Sequence, residues 1–130
     1  MKNRIIVSVL GLVVCLWTKG LSAEESSKDA TAHYQQAQEL IKKGQDDKAI
    51  SEASLAIKLK PNYWEAYSLR GIACARKQEF DKAIADLSEA IRLNPTNVDG
   101  YKNRAMAYAM KGDKAKALAD QETVNKMLAK

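Results

Sequence analysis

The chain has 130 residues, 46% hydrophobic and 28% charged, with a formal net charge of +5 and two cysteines. That length accommodates one modest domain, and six glycines and two prolines beside abundant Ala, Lys, Leu and Glu favour helix over strand-and-turn architectures. Cys15 and Cys74 match no metal or redox spacing, so neither a zinc site nor a dithiol motif is expected, and both are read as unpaired.

Residues 1–23 read as a leader rather than as part of the fold. Lys2 and Arg4 form a basic start, residues 5–17 are an almost unbroken apolar run, and Leu21-Ser22-Ala23 ends in the small residue that signal peptidases accept. The expectation is a signal peptide cleaved after Ala23 and an exported chain, periplasmic or secreted. Two alternatives stay open: an uncleaved membrane anchor, which Lys19 and the shortness of the apolar run disfavour, and a lipoprotein signal at Cys15, which bulky Val14 disfavours. Cleavage would remove Lys2, Arg4 and Lys19, so that 21 basic residues less 3 leaves 18 against 16 acidic ones. Lysines interleaved with Asp and Glu at a net +2 form no basic patch, and no nucleic-acid partner is expected.

Residues 24–29, EESSKD, read as a polar tether or a frayed helix start, with Ser27 or Asp29 available to cap the helix that follows. Residues 30–43 place His33, Ala37 and Leu40 on one helical stripe that Gly44 ends, and residues 46–59 carry Ala49, Ile50, Ala53, Ala56 and Ile57 on another. Pro61-Asn62 breaks the chain. Asn62 with Glu65, and Thr96 with Asp99, have the spacing of a capping box, worth about 1 kcal/mol each. A helix from Trp64 presents Tyr67, Gly71 and Cys74. Gly71 costs about 1 kcal/mol relative to Ala there, so a partner helix is expected to pass too close for a side chain. The helix over 80–93 carries Phe80, Ala83, Ile84, Leu87, Ala90 and Ile91, the fullest apolar set in the chain, which makes residues 64–97 the expected stability centre. In the last segment Gln121 and Asn125 stand where earlier helices have Leu87 and Ile91. The outer face is therefore wetted, with Leu118, Val124 and Leu128 expected inward and Met127 exposed.

These segments are imperfect copies of one another. A shift of 34 residues superposes Ala49, Ala83 and Ala117; Ala56, Ala90 and Val124; Ala37, Gly71 and Ala105; and Pro61 on Pro95. This pattern resembles the tetratricopeptide repeat (TPR), a helix-turn-helix unit, over residues 30–63, 64–97 and 98–130. The resemblance implies an all-α solenoid of about six antiparallel helices. A polar pair recurs with the same period, Arg70 with Asp86 and Arg104 with Asp120, while the first repeat has Gln36 and Glu52. Each arginine is expected to bridge the two helices of its own repeat, partly shielded from water.

No catalytic constellation accompanies the repeats. His33 aligns with Tyr67 and Tyr101 at a packing position, Cys74 aligns with Leu40 and Tyr108, and no phosphate-cradling loop or metal spacing occurs. The expectation is a non-enzyme without cofactor, metal or small-molecule substrate. The resemblance instead implies a concave groove, lined by the first helix of each repeat, that receives a peptide segment or a partner helix. The residues at that face are Tyr34, Gln38 and Lys42; Ser68, Leu69, Ile72 and Arg76; and Lys102, Asn103, Met106 and Met110. A subclass of the family grips chaperone C-terminal carboxylates with Lys, Asn and Arg. Tyr34, Gln38, Leu69, Asp99 and Asn103 occupy the corresponding positions and do not match that set, so the clamp is not carried over. The reading is an exported adaptor that binds another protein, with a membrane-anchored assembly component as the alternative.

Overall fold

The computed structural model describes residues 22–130, so the expected leader lies outside the described residues up to position 21. Six helices follow: α1 (Ala23–Lys42), α2 (Asp46–Leu59), α3 (Trp64–Arg76), α4 (Phe80–Leu93), α5 (Val98–Lys111) and α6 (Lys114–Leu128). No strand occurs among the described residues. The helices pair as α1/α2, α3/α4 and α5/α6, with α2 against α3 and α4 against α5, and the first helices α1, α3 and α5 also touch in turn. This is the stacked helix-turn-helix order that the 34-residue period predicts. No described helix is long and apolar enough to cross a membrane.

The turn inside each repeat explains why the period is kept. Gly44, Gln78 and Gly112 stand 34 residues apart, and all three adopt left-handed φ values of 74°, 64° and 97°. At each one the next amide reaches back five residues to a carbonyl: Gln45 to Leu40, Glu79 to Cys74 and Asp113 to Tyr108, all at 2.9 Å. Together with the bonds from Gly44 to Ile41, Gln78 to Ala75 and Gly112 to Ala109, this is a Schellman C-cap that reverses the chain into the second helix. Gln78 makes the turn without glycine's freedom, at a cost of about 1 kcal/mol.

Small residues let the helices approach. A Cβ on Gly71 would lie 2.8 Å from Leu87 Cγ and 3.2 Å from the Ala83 carbonyl oxygen, which is the close passage expected there. Ala30, Ala56, Tyr63 and Ala66 form one core cluster with Tyr34 and Ile57 against it; Cys74, Ala83, Leu87 and Ala107 form a second, flanked by Ile50 and Ile84. Each cluster draws on two successive repeats. No repeat buries its stripe alone.

Four local expectations are corrected. Residues 24–29 are not a tether but the opening turns of α1, held against α2 by Ser26 Oγ donating to the Leu59 carbonyl at 3.1 Å; the N-cap position is Ser22, not Ser27 or Asp29. Asn62 makes no cap, because the N-cap position of α3 is Tyr63, a buried residue whose ring packs against Tyr34 at a tilt of 43°, with centroids 5.1 Å apart. At α5 the cap is Asn97, whose Oδ1 accepts from the Asp99 amide at 3.1 Å, while Thr96 Oγ1 donates to Asn94. In α6, Val124 is buried as expected, but Leu118 and Leu128 are 65% and 64% exposed and Met127 is partly buried.

Candidate functional site: the first-helix face and the C-terminal edge

The period places an ionic bridge in the second and third repeats. Arg70 donates through Nε and Nη2 to the two carboxylate oxygens of Asp86 at 2.7 and 2.8 Å, and Arg104 does the same to Asp120 at 2.8 and 2.7 Å. Both join the two helices of one repeat, half-shielded, and both planar forks use the bidentate geometry that favours arginine over lysine. The hydrogen bonds with the carboxylates hold both guanidinium pKa values above their ordinary range. Each arginine has a third bond that the pairing did not anticipate. Arg70 Nη1 donates to Ser54 Oγ at 3.0 Å and Arg104 Nη1 to Ser88 Oγ at 3.1 Å, so the same side chain also fastens its repeat to the preceding one. In the first repeat Gln36 is exposed, and Glu52 pairs instead with His33, 2.6 Å from Nδ1.

A second ionic ladder also runs between repeats. Lys77 pairs with Asp47 and, one period later, Lys111 with Asp81. Hydrogen bonding to these carboxylates raises both lysine pKa values.

The face assigned to binding is not uniform. Tyr34 is half-buried against the first cluster, its hydroxyl accepts from Gln38 Nε2 at 2.9 Å, and burial raises its pKa. Lys42 is exposed and pairs with Glu39 at 2.8 Å. Arg76 is engaged structurally: Nη1 donates to the Ile41 carbonyl at 3.1 Å, and Nε lies 3.2 Å from Asp46 Oδ1 without aiming an N–H at it. Ser68, Leu69 and Ile72 are half-buried on α3, and Asn103 is half-buried on α5. Lys102 is exposed 3.7 Å from Asp99. Met106 and Met110 are 62% and 52% exposed.

Ile72 and Met106 occupy the same register position in successive repeats, yet among the described residues only Ile72 has a following first helix, α5, beside its own. Met106 instead opens into a shallow depression of about 410 Å³ between α5 and α6, lined with Lys102, Ala109, Ala117, Leu118 and Gln121. Sequence reasoning missed Leu118 as a surface residue. The signal was in the register: Leu118 corresponds to Ile50 and Ile84, which are packed against the cluster that the next repeat helps to build.

Among the described residues no group of three or more His, Cys, Asp or Glu side chains could hold a metal ion. Cys74 is buried in the second cluster, and burial, assisted by the nearby Asp86 and Glu79 carboxylates, pushes its thiol pKa up, away from the thiolate a nucleophile needs.

Comparison with known families finds a tetratricopeptide repeat model matching residues 30–63 and a TPR repeat model matching residues 73–112. Comparison with curated proteins returns no match. Among solved structures, the TPR2B domain of yeast Sti1 in complex with pHsp70 is 28% identical, with a TM-score of 0.76 over 78% of this chain and 81% of that one. The first TPR domain of Spaghetti (RPAP3) bound to the HSP90 peptide SRMEEVD is 24% identical, with a TM-score of 0.75 over 78% and 80%. The Arabidopsis OM64 TPR domain is 22% identical, with a TM-score of 0.76 over 78% and 84%. With its 34-residue period, its repeated Schellman turns and its stacked helix pairs, the chain is a solenoid of tetratricopeptide repeats.

Proposed function

We propose that the chain is an exported adaptor that binds a peptide segment or partner helix of another protein along the face formed by α1, α3 and α5. The observation that carries this reading is the patch of Leu69 and Ile72 beside Ser68, continued on α5 by Asn103 and Met110: apolar side chains that keep partial exposure among polar ones. Such a mixture suits an extended segment, whose backbone is met by polar groups and whose side chains are met by apolar ones, with methionine adapting to shape. Gln38, Lys42 and Lys102 form its polar rim. Tyr34 and Arg76 shape the face more than they contact a ligand, since both are committed to packing or bridging.

The peptide-bound relatives support a protein partner, and this chain's own residues narrow its chemistry. SRMEEVD is acidic at its end, whereas apolar Leu69 and anionic Asp99 stand here at two positions of the family's carboxylate clamp, which grips with Lys, Asn and Arg. The partner segment is therefore internal or apolar rather than an acidic tail. Export rests on the leader. Intact mass of the chain recovered from its native compartment tests it: loss of the first 23 residues is expected, and their retention would favour the membrane-anchored alternative.

The groove is tested by placing photo-crosslinkers at Ser68 and Asn103 in the native compartment and identifying the adducts by mass spectrometry. A defined adduct that disappears in the Leu69→Glu, Ile72→Glu double variant, with helicity intact by circular dichroism, is the expected result. An unchanged adduct pattern in that variant overturns the groove.

A further inference from the structure

The junction between the first two repeats holds a recess that its copy one period later has filled. Between α2 and α4, which do not pack on each other, Ile50 and Ser54 of α2, Arg70 and Cys74 of α3 and Lys82, Ala85 and Asp86 of α4 line an open space of about 310 Å³. A shift of 34 residues reproduces six of these seven residues unchanged, as Ile84, Ser88, Arg104, Lys116, Ala119 and Asp120. The seventh differs. Where the first junction has Cys74, the second has Tyr108.

The frame is the same at both junctions, since Asp86 and Ser54 hold Arg70 as Asp120 and Ser88 hold Arg104. Within that frame the Tyr108 ring has two cations at its face, Arg104 Cζ at 5.9 Å from the centroid and Lys116 Nζ at 5.5 Å. Both lie within cation–π range. Arg104 thus has two rings beside it, Tyr101 at 5.8 Å and Tyr108, whereas Arg70 has Tyr67 at 5.6 Å and the recess. Lys82 stands at the recess where Lys116 meets a ring, its ammonium paired with Glu79.

What fits this space follows from its lining. The charges around it are already matched, Arg70 with Asp86 and Lys82 with Glu79, so a neutral group is favoured over an ion. Cys74 is buried and supplies a small apolar floor, with Ile50 beside it. An apolar cavity of about 150 Å³ is enough to hold a benzene ring, so the recess has room for one six-membered ring. Its solvent side is open, which suits a side chain arriving on a backbone better than a free molecule that a site must enclose.

We infer that this recess is an anchor site for one aromatic side chain, tyrosine or phenylalanine, of a partner protein, taking at the first junction the place that Tyr108 fills at the second. The ring lies over Cys74 against Ile50, with Arg70 and Lys82 at its face, and its backbone stays outside at the exposed Lys82 and Ala85. A ring seated in a formed pocket is the kind of contact that dominates protein interfaces. The site is separate from the first-helix face. Arg70 and Cys74 follow Ser68 and Ile72 by two residues, roughly 200° around α3.

The probes are p-cresol, the tyrosine side chain alone, and N-acetyl-L-tyrosinamide, the same ring on a backbone, titrated into the full chain and followed by amide chemical shifts. Both are expected to bind saturably with a Kd of about 1–10 mM, moving the amides of Ile50, Cys74 and Ala85 most. Cys74→Tyr supplies the ring from within and should abolish binding. Tyr108→Cys should open the matching recess, adding a second set of shifts at Ile84 and Ala119, and Lys82→Gln should weaken binding about threefold. Absence of binding, or binding that survives Cys74→Tyr, overturns the proposal. Equal binding of methylcyclohexanol, which has the shape without the π face, overturns the aromatic assignment. Binding of p-cresol without N-acetyl-L-tyrosinamide assigns the recess to a free small molecule and overturns the partner side chain. Shifts centred on Ser68 and Asn103 that vanish in the Leu69→Glu, Ile72→Glu variant place the ring in the first-helix groove and likewise overturn the proposal, leaving the groove reading intact. Circular dichroism establishes that each variant is folded; should Cys74→Tyr not fold, Cys74→Leu fills the floor of the recess and must weaken binding about tenfold.

Discussion

The middle and last repeats are built on one template and differ in which described helices pack against them. Ile84 of α4 packs against the cluster that α3, α4 and α5 build, whereas its counterpart Leu118 of α6 is 65% exposed. Gln121 and Asn125, at the positions of Leu87 and Ile91, show the sequence adjusting to that openness, but Leu118 and Met106 have not been adjusted. The difference teaches that burial in a solenoid belongs to the junction rather than to the repeat. The same stripe is core where another described helix stacks on it and surface where none does.

The contrast can be broken most severely at Leu87. Leu87→Ala should cost about 3 kcal/mol by urea denaturation, as expected for a buried leucine, while Leu118→Ala should stay within about 0.5 kcal/mol. Comparable losses would mean that Leu118 is covered in solution. Next in size are the bridges. A double-mutant cycle on Arg104 and Asp120 should return a coupling of about 2 kcal/mol, and one on Arg70 and Asp86 a similar or smaller value, since Asp120 is the more buried carboxylate. A coupling near zero in both would dismiss the bridges as supports.

Gly71→Ala should lower the melting temperature by the equivalent of about 1–2 kcal/mol despite the better helix propensity of alanine, because the Ala83 carbonyl and Leu87 leave no room for the methyl group. A stabilised variant would show that α3 and α4 can separate at little cost. In the turn that follows, Gln78→Gly should raise stability by about 1 kcal/mol, making the middle repeat match Gly44 and Gly112. No gain would place the left-handed strain elsewhere.

The smallest expected effect is on acid stability. Hydrogen bonds from Lys82 and Lys77 hold the Glu79 carboxyl at about 2, below its ordinary 4.5. A depressed carboxyl pKa stabilises the folded state above about 4.5, and that contribution is lost as pH falls toward 2. Glu79 is well placed at a surface turn, so Glu79→Gln should only flatten the stability profile over that interval; an unchanged profile would make the pairs inconsequential.

How much of this could be read beforehand depends on the range of the interaction. The helices over 46–59, 64–76 and 80–93 were legible because periodicity and punctuation by Gly44, Pro61 and Pro95 are local. The Arg70–Asp86 and Arg104–Asp120 bridges were legible because they repeat. The start of α1 was not: residues 24–29 are polar throughout, and a contact between Ser26 and the Leu59 carbonyl, 33 residues away, carries no local signature. Capping failed for a related reason. Asn62 had the spacing for a cap, but packing of Tyr63 on Tyr34 put a tyrosine at the N-cap position instead. For the binding face, register identified the residues, yet only the fold distinguished Arg76, tied to the Ile41 carbonyl, from Met110, which is open.

The sequence by itself determined the repeat, its period, its small-residue contacts and the pairing of its charges, because each is a local pattern written more than once. Tertiary structure decided which copies of that pattern are covered. Whether Ile50, Ile84 or Leu118 is core or edge depends on the helix that stacks over it, and that neighbour lies outside the repeat in which the residue is encoded.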